Sequence, residues 1–237
     1  MNINIYKSLE ECNSRLAEYL IEDYLTKNKN IAISGGSTPI GLFTKILNQI
    51  DKKFEIKSNF FWVDERCVKP SSVDSNFGSA NKHFFSKVNI SNNNIFRMKG
   101  EEKPEIETSN YTKLLKTKTE IINNIPSLDL CLLGIGGDGH TASIFPNELK
   151  KHSGKSDCIV GVNPDSGQKR VSLSIKQINN SKEVIFHVCG SGKKDVVDMI
   201  ISKRDNYLDL PASHILPKSK NLSWYLDFDS AETFMST

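Results

Sequence analysis

The sequence predicts an α/β domain, a mostly parallel sheet with helices on both faces. Three observations predict it. Short apolar runs alternate with amphipathic stretches of helical period along the whole chain. The most apolar run, residues 129–135, lacks polar alternation, as a strand covered on both faces should. Several runs end in glycine-rich or charged turns, the places where parallel sheets present ligand-binding loops. No internal repeat or proline-rich linker divides the 237 residues, so 1–237 is read as one catalytic-sized domain.

The elements follow in order. Ser8 and Glu11 form a capping box for a helix reaching about residue 27, with Leu9, Cys12, Leu16, Leu20, Tyr24 and Leu25 as its apolar positions. Ile31-Ala32-Ile33-Ser34 is a short strand. After the turn Gly35-Gly36-Ser37-Thr38, Pro39 is expected as the first helical residue behind a Thr38 cap. Ile40, Phe43, Ile46, Leu47 and Ile50 give that helix its buried stripe. Phe60-Phe61-Trp62-Val63 is a second strand that runs into Asp64-Glu65-Arg66. A helix is expected over 75–86, a brief strand at 95–97, and a long helix over 104–124 with Tyr111, Leu114, Leu115, Ile121 and Ile122 inward. Beyond 129–135, strands are expected at 158–162, 170–175, 183–189 and 222–227, and helices at 193–203 and 211–216.

Composition excludes several functions. Lys and Arg exceed Asp and Glu by only 3, which argues against nucleic acid or a membrane surface as partner. No run of 18 apolar residues is present, and the first seven residues contain no apolar signal core. The five cysteines are scattered, with no CxxC spacing, so reduced thiols in a cytoplasmic protein are expected, not disulfides or a zinc site. His83, His152, His187 and His214 stand alone and no HExxH occurs, so no metal and no cofactor is expected; the absence of GxSxG argues against a serine nucleophile. A monomer or weak homodimer is expected.

Chemistry concentrates at the turns. Ser34, Gly35, Gly36, Ser37 and Thr38 lead into a helix whose free N–H groups and positive dipole end suit a phosphate. Gly134, Gly136 and Gly139 match GxGxxG after a strand, but the motif lies mid-chain, and Asp138 would set a carboxylate beside a pyrophosphate. A better reading pairs Asp138 with His140. A carboxylate on one ring nitrogen fixes the tautomer and leaves the other as a base, and imidazole ordinarily titrates near pH 6.5. Arg66 can hold an anion or polarise a carbonyl, with Asp64 and Glu65 to orient it. Arg170 opens an alternating strand. Lys193 follows Gly190-Ser191-Gly192 at a helix start, where a cation opposes the dipole and so points to a ligand anion.

Taken together, these stretches resemble the 6-phosphogluconolactonase family within the wider glucosamine-6-phosphate isomerase-like, Rossmann-like fold. The matching pieces, in family order, are Ser34-Gly35-Gly36-Ser37-Thr38-Pro39, Trp62-Val63-Asp64-Glu65-Arg66, Leu133 through Pro146 around Gly136-Gly137-Asp138-Gly139-His140, Arg170-Val171-Ser172-Leu173, the 190–193 turn, and Leu222-Ser223-Trp224-Tyr225-Leu226-Asp227. The deaminase branch carries Asp-Glu-Tyr where this chain has Asp64-Glu65-Arg66. It also follows Gly-His with Ile-Ala-Phe-Asn-Glu-Pro where this chain has Thr141-Ala142-Ser143-Ile144-Phe145-Pro146. The resemblance implies hydrolysis of 6-phospho-D-glucono-1,5-lactone in the oxidative branch of the pentose phosphate pathway. His140, Asp138 and Arg66 would be catalytic. Ser34, Gly35, Gly36, Ser37, Thr38, Asp64, Gly136, Gly137, Gly139, Arg170 and Lys193 would bind substrate, with oxyanion charge met by Arg66 or by N–H groups of the 136–139 turn. The alternatives are a glucosamine-6-phosphate deaminase/isomerase and a non-catalytic sugar-phosphate sensor.

Overall fold

The computed structural model describes residues 1–150, 154 and 156–235. Its strands are β1 (Asn2–Tyr6), β2 (Asn30–Ile33), β3 (Glu55–Ile56), β4 (Asn59–Trp62), β5 (Asp64–Arg66), β6 (Asn89–Ile90), β7 (Ile95–Phe96), β8 (Glu120–Ile122), β9 (Ile125–Ser127), β10 (Leu130–Leu133), β11 (Cys158–Val162), β12 (Lys169–Leu173), β13 (Val184–Val188) and β14 (Leu222–Asp227). Its α-helices are α1 (Leu9–Leu20), α2 (Ser37–Gln49), α3 (Asn76–His83), α4 (Pro104–Lys118), α5 (Ile175–Ile178), α6 (Lys194–Ile201) and α7 (Phe228–Met235).

Seven strands form the main sheet in the order β1-β14-β13-β10-β2-β4-β7, and each neighbouring pair is parallel. Every residue of β10 and β13 is buried. Successive strand residues face opposite sides, so both faces of the sheet centre are covered. One apolar core runs from Leu16 of α1 through Trp62 of β4 to Ala231 of α7. From β2 the chain builds toward β4 and β7; from β10 it builds the other way, toward β13 and β14. The carboxyl ends of β2 and β10 therefore flank a switch point, where an open α/β sheet leaves a crevice.

Val63 joins this sheet to a smaller one. Its N–H donates to the Ile33 carbonyl at 3.0 Å and its carbonyl accepts from Leu173 N–H at 2.8 Å. The next three residues pair antiparallel with β12 in a three-stranded sheet ordered β11-β12-β5. Asp64, Glu65 and Arg66 thus form a strand folded over the rim, not the tail of β4.

Several elements differ from expectation. The helix expected over 104–124 stops at Lys118, and β8 and β9 form a hairpin instead. Its two loop residues, Asn123 and Asn124, have φ of 54° and 60°, and Asn tolerates this left-handed region. Ile121 is consequently exposed. α2 begins at Ser37 with Gly36 as its N-cap, so Thr38 is inside the helix and Pro39 in its first turn, where no N–H is missed. The α1 helix continues as one π-helical turn, Ile21–Leu25. The expected helix at 211–216 is a short 3-10 turn, Pro211–His214. β1 and α7 were not anticipated. His152, expected to stand alone, lies outside the described residues. No described helix is long and apolar enough to cross a membrane.

Candidate active site

The carboxyl ends of four adjacent strands, β13, β10, β2 and β4, surround a cavity of about 280 Å³. Ser34, Gly35, Gly36, Ser37, Thr38, Asp64, Arg66, Gly136, His140, Arg170 and Lys193 all line it. Of the residues expected there, Asp138, Gly137 and Gly139 are not among its lining. Asn76, Ala142, His187 and Cys189 line it without having been anticipated.

The loop after β2 is shaped by its glycines. A Cβ at Gly35 would meet Asn76 Oδ1 at 1.8 Å, and Gly36 has φ of 104°. Residues with side chains would displace Asn76 or strain the turn. The Ser34 hydroxyl donates to the Leu132 carbonyl at 2.8 Å, stitching the loop to β10. Among the described residues no side chain caps the α2 N-terminus. Its first residues, Ser37, Thr38 and Pro39, line the cavity, so the positive end of the helix dipole lies at its wall.

The loop after β10 builds the imidazole site. His140 Nδ1 lies 2.6 Å from Asp138 Oδ1, and the same oxygen accepts from the His140 N–H at 3.1 Å. This engages Nδ1 and leaves Nε2 as the ring atom available to a ligand. Burial pushes the Asp138 carboxyl up, but the backbone and ring of His140 outweigh that and hold it below the usual carboxylate range. A Cβ at Gly136 would meet His140 Nδ1 at 2.1 Å, so glycine there lets the ring fold over the turn. Gly139 has φ of 80° and packs on Leu210. The N–H groups of Gly136 and Gly139 are spent on the carbonyls of His140 and Gly136, at 2.8 and 3.0 Å. The Gly136 and Gly139 N–H groups thus close the loop and are not free to serve as the expected oxyanion donors. Ala142, in the same loop, holds a left-handed φ of 51°.

Two arginines face each other across the small sheet. Arg170 of β12 pairs with Arg66 of β5, and like charges directly opposite are unfavourable. Among the described residues neither Nε atom has a hydrogen-bond partner, although both are buried. Arg66 Nη1 donates to the Asp74 carbonyl at 2.7 Å. Burial lowers the Arg170 pKa; the nearby Asp64 opposes this and Arg66 reinforces it. The Phe145 ring carries both cation and imidazole: Arg170 Cζ lies 5.5 Å from its centroid and the His140 ring 4.9 Å. This pair of half-satisfied guanidiniums is the arrangement an anion completes.

The acids next to Arg66 do structural work. Asp64 Oδ2 accepts from Ser143 Oγ at 2.6 Å and Oδ1 from Asn76 Nδ2 at 3.2 Å. Glu65 accepts from Ser75 Oγ and from the N–H groups of Arg66, Asn76 and Phe77, clamping the start of α3. Burial raises its pKa while those backbone bonds lower it. Lys193 sits at the N-cap of α6. The turn before it is held by Asp227, whose carboxylate accepts from Gly190 N–H at 2.9 and 3.1 Å.

The family description "Glucosamine-6-phosphate isomerases/6-phosphogluconolactonase" matches residues 7–224. The chain belongs to this family. It is 34% identical to a 6-phosphogluconolactonase of Treponema pallidum over 90% of each chain, and 32% identical to that of Aggregatibacter actinomycetemcomitans over 98% of this chain and 99% of the other. Among solved structures, a devB protein superposes with a TM-score of 0.91 at 34% identity, covering 98% of both chains. The Trypanosoma brucei 6-phosphogluconolactonase superposes with 0.82 at 27% identity, covering 98% and 97%.

His187 and Cys189 are the main surprise. His187 does not stand alone, and the cysteines are not all scattered: the potential ligand atoms of Cys12, His187 and Cys189 lie within 4.8 Å of one another. Cys189 follows β13 directly, two residues after His187, but Cys12 comes from α1, about 175 residues earlier, and no sequence spacing signals it.

Proposed function

We propose that this chain hydrolyses 6-phospho-D-glucono-1,5-lactone to 6-phospho-D-gluconate. The observation that carries the proposal is the Asp138–His140 pair facing a cavity that also holds two partly unsatisfied guanidiniums and an uncapped helix N-terminus. The substrate phosphate sits over residues 34–38, neutralised by Arg170 and Lys193, and this anchor orients the lactone. His140 Nε2 takes a proton from water as the water oxygen attacks C1. Negative charge builds on the carbonyl oxygen and is met by Arg66. The bond from C1 to the ring oxygen then breaks, and His140 returns its proton to that oxygen. Asp138 holds the imidazole in the required tautomer throughout. Asp64, with both oxygens engaged by Ser143 and Asn76, fixes the cavity wall beside Arg170.

The test follows 6-phosphogluconate formation at neutral pH from lactone generated in situ, against buffer and against His140→Ala. The expected result is a rate well above spontaneous opening that falls about 10² to 10⁴-fold in the variant. A wild-type rate equal to buffer, with ammonia released from glucosamine 6-phosphate, would replace this reading with the deaminase one. Binding of 6-phosphogluconate with no turnover would leave a sensor.

A further inference from the structure

We propose that Cys12, His187 and Cys189 form a binding site for a soft divalent ion, Zn²⁺ or its analogues, at the floor of the cavity and apart from the Asp138–His140 pair. One ligand atom from each residue already lies within 4.8 Å of the other two. Zinc bound by two sulfurs and one nitrogen needs bonds of about 2.0 to 2.3 Å, so tetrahedral ligands sit somewhat closer together than this, within reach of side-chain rotation. His187 is 3% exposed, and its ring nitrogens have no nitrogen or oxygen partner among the described residues; the group it meets is the Cys189 thiol, which also meets Cys12. A buried imidazole ordinarily satisfies at least one nitrogen. Here the two sulfurs are the groups placed to receive it. Thiolate and imidazole together form a donor set that favours Zn²⁺ over Mg²⁺ or Ca²⁺.

Access is built in. His187 and Cys189 line the cavity, while Cys12 is fully buried behind them on α1. An ion entering from the cavity meets Cys189 and His187 first and closes onto Cys12, with the two thiols releasing their protons to solvent. Three protein ligands leave the fourth position to water on the cavity side, the pattern of an open zinc site.

The experiment uses the full chain, reduced and stripped of metal, titrated with Co²⁺ as a spectroscopic stand-in for Zn²⁺. The expected result is a thiolate-to-cobalt charge-transfer band that saturates at one ion per chain. Cys12→Ser and Cys189→Ser should each weaken binding about tenfold or more, while His140→Ala and Cys67→Ser leave the band unchanged. Because Cys12 is buried, the unmodified chain supplies a second readout: one equivalent of Zn²⁺ should slow alkylation of Cys189 and not of the similarly half-buried Cys67. The proposal is overturned by absence of the band, by its survival in the Cys12→Ser/Cys189→Ser double variant, by its loss in His140→Ala, or by unprotected Cys189. Loss of two titratable thiols on air exposure without any metal band would replace it with a disulfide pair.

Discussion

Asp138 grips His140 through both the ring and the backbone N–H, and this has a consequence for acid stability. Its folded pKa is depressed, so its contribution is present above the unfolded carboxylate value, near pH 4, and fades as pH falls through the folded value. With 44% of its side chain exposed, solvent screens much of that contribution. Denaturant midpoints of the wild type and Asp138→Asn should therefore differ most around neutral pH and converge below about pH 4. A constant offset across that range would show that the carboxylate's ionisation contributes nothing to stability. At this scale the sequence was most legible where a site is built from contiguous residues. The turns at 34–38 and 134–140 declare themselves because glycine, carboxylate and imidazole are neighbours in the chain. Asn76, the Phe145 platform and the cluster of Cys12, His187 and Cys189 were illegible, because each acquires its meaning only when separate elements meet.

Elements carry their own lesson. Helical periodicity was followed past Lys118 because Ile121 and Ile122 extend it, but paired asparagines at 123 and 124 favour a tight hairpin over another turn of helix. Asn124→Gly should hold or raise thermal stability by up to about 1 kcal/mol, and Asn124→Val should lower it by about 1 to 2 kcal/mol; equal effects would mean the turn does not dictate this hairpin. The short rim strand Asp64–Arg66 is similarly governed by one residue. Glu65 satisfies three backbone N–H groups and a hydroxyl in a buried setting. Glu65→Ala should cost at least about 3 kcal/mol in chemical denaturation and raise KM by loosening Arg66. A cost below about 1 kcal/mol would show that water replaces the clamp.

Across the molecule, the mostly parallel sheet followed from composition and periodicity alone, since strands alternate with helices and residues 129–135 show no polar alternation. The edge strand β1 was missed because Ile3 and Ile5 alternate with asparagines over a short stretch that reads equally as a tail. It becomes a strand only by pairing with β14, in a register that joins Asn2 to Ser223 and Tyr6 to Asp227. Such pairings close very large loops and come late in folding.

The hydrogen bond between Asp227 and Gly190 sets a limit on the chain as it is being made. Every residue lining the cavity has been joined by the time Lys193 is added, yet the strand that braces the Lys193 turn is not translated until residue 227. A nascent chain stalled before that point holds a full set of cavity residues and no working cavity. A product ending at residue 221 should accordingly accumulate as protease-sensitive, inactive protein, and supplying residues 222–235 as a separate peptide should restore turnover if the missing brace is the whole defect.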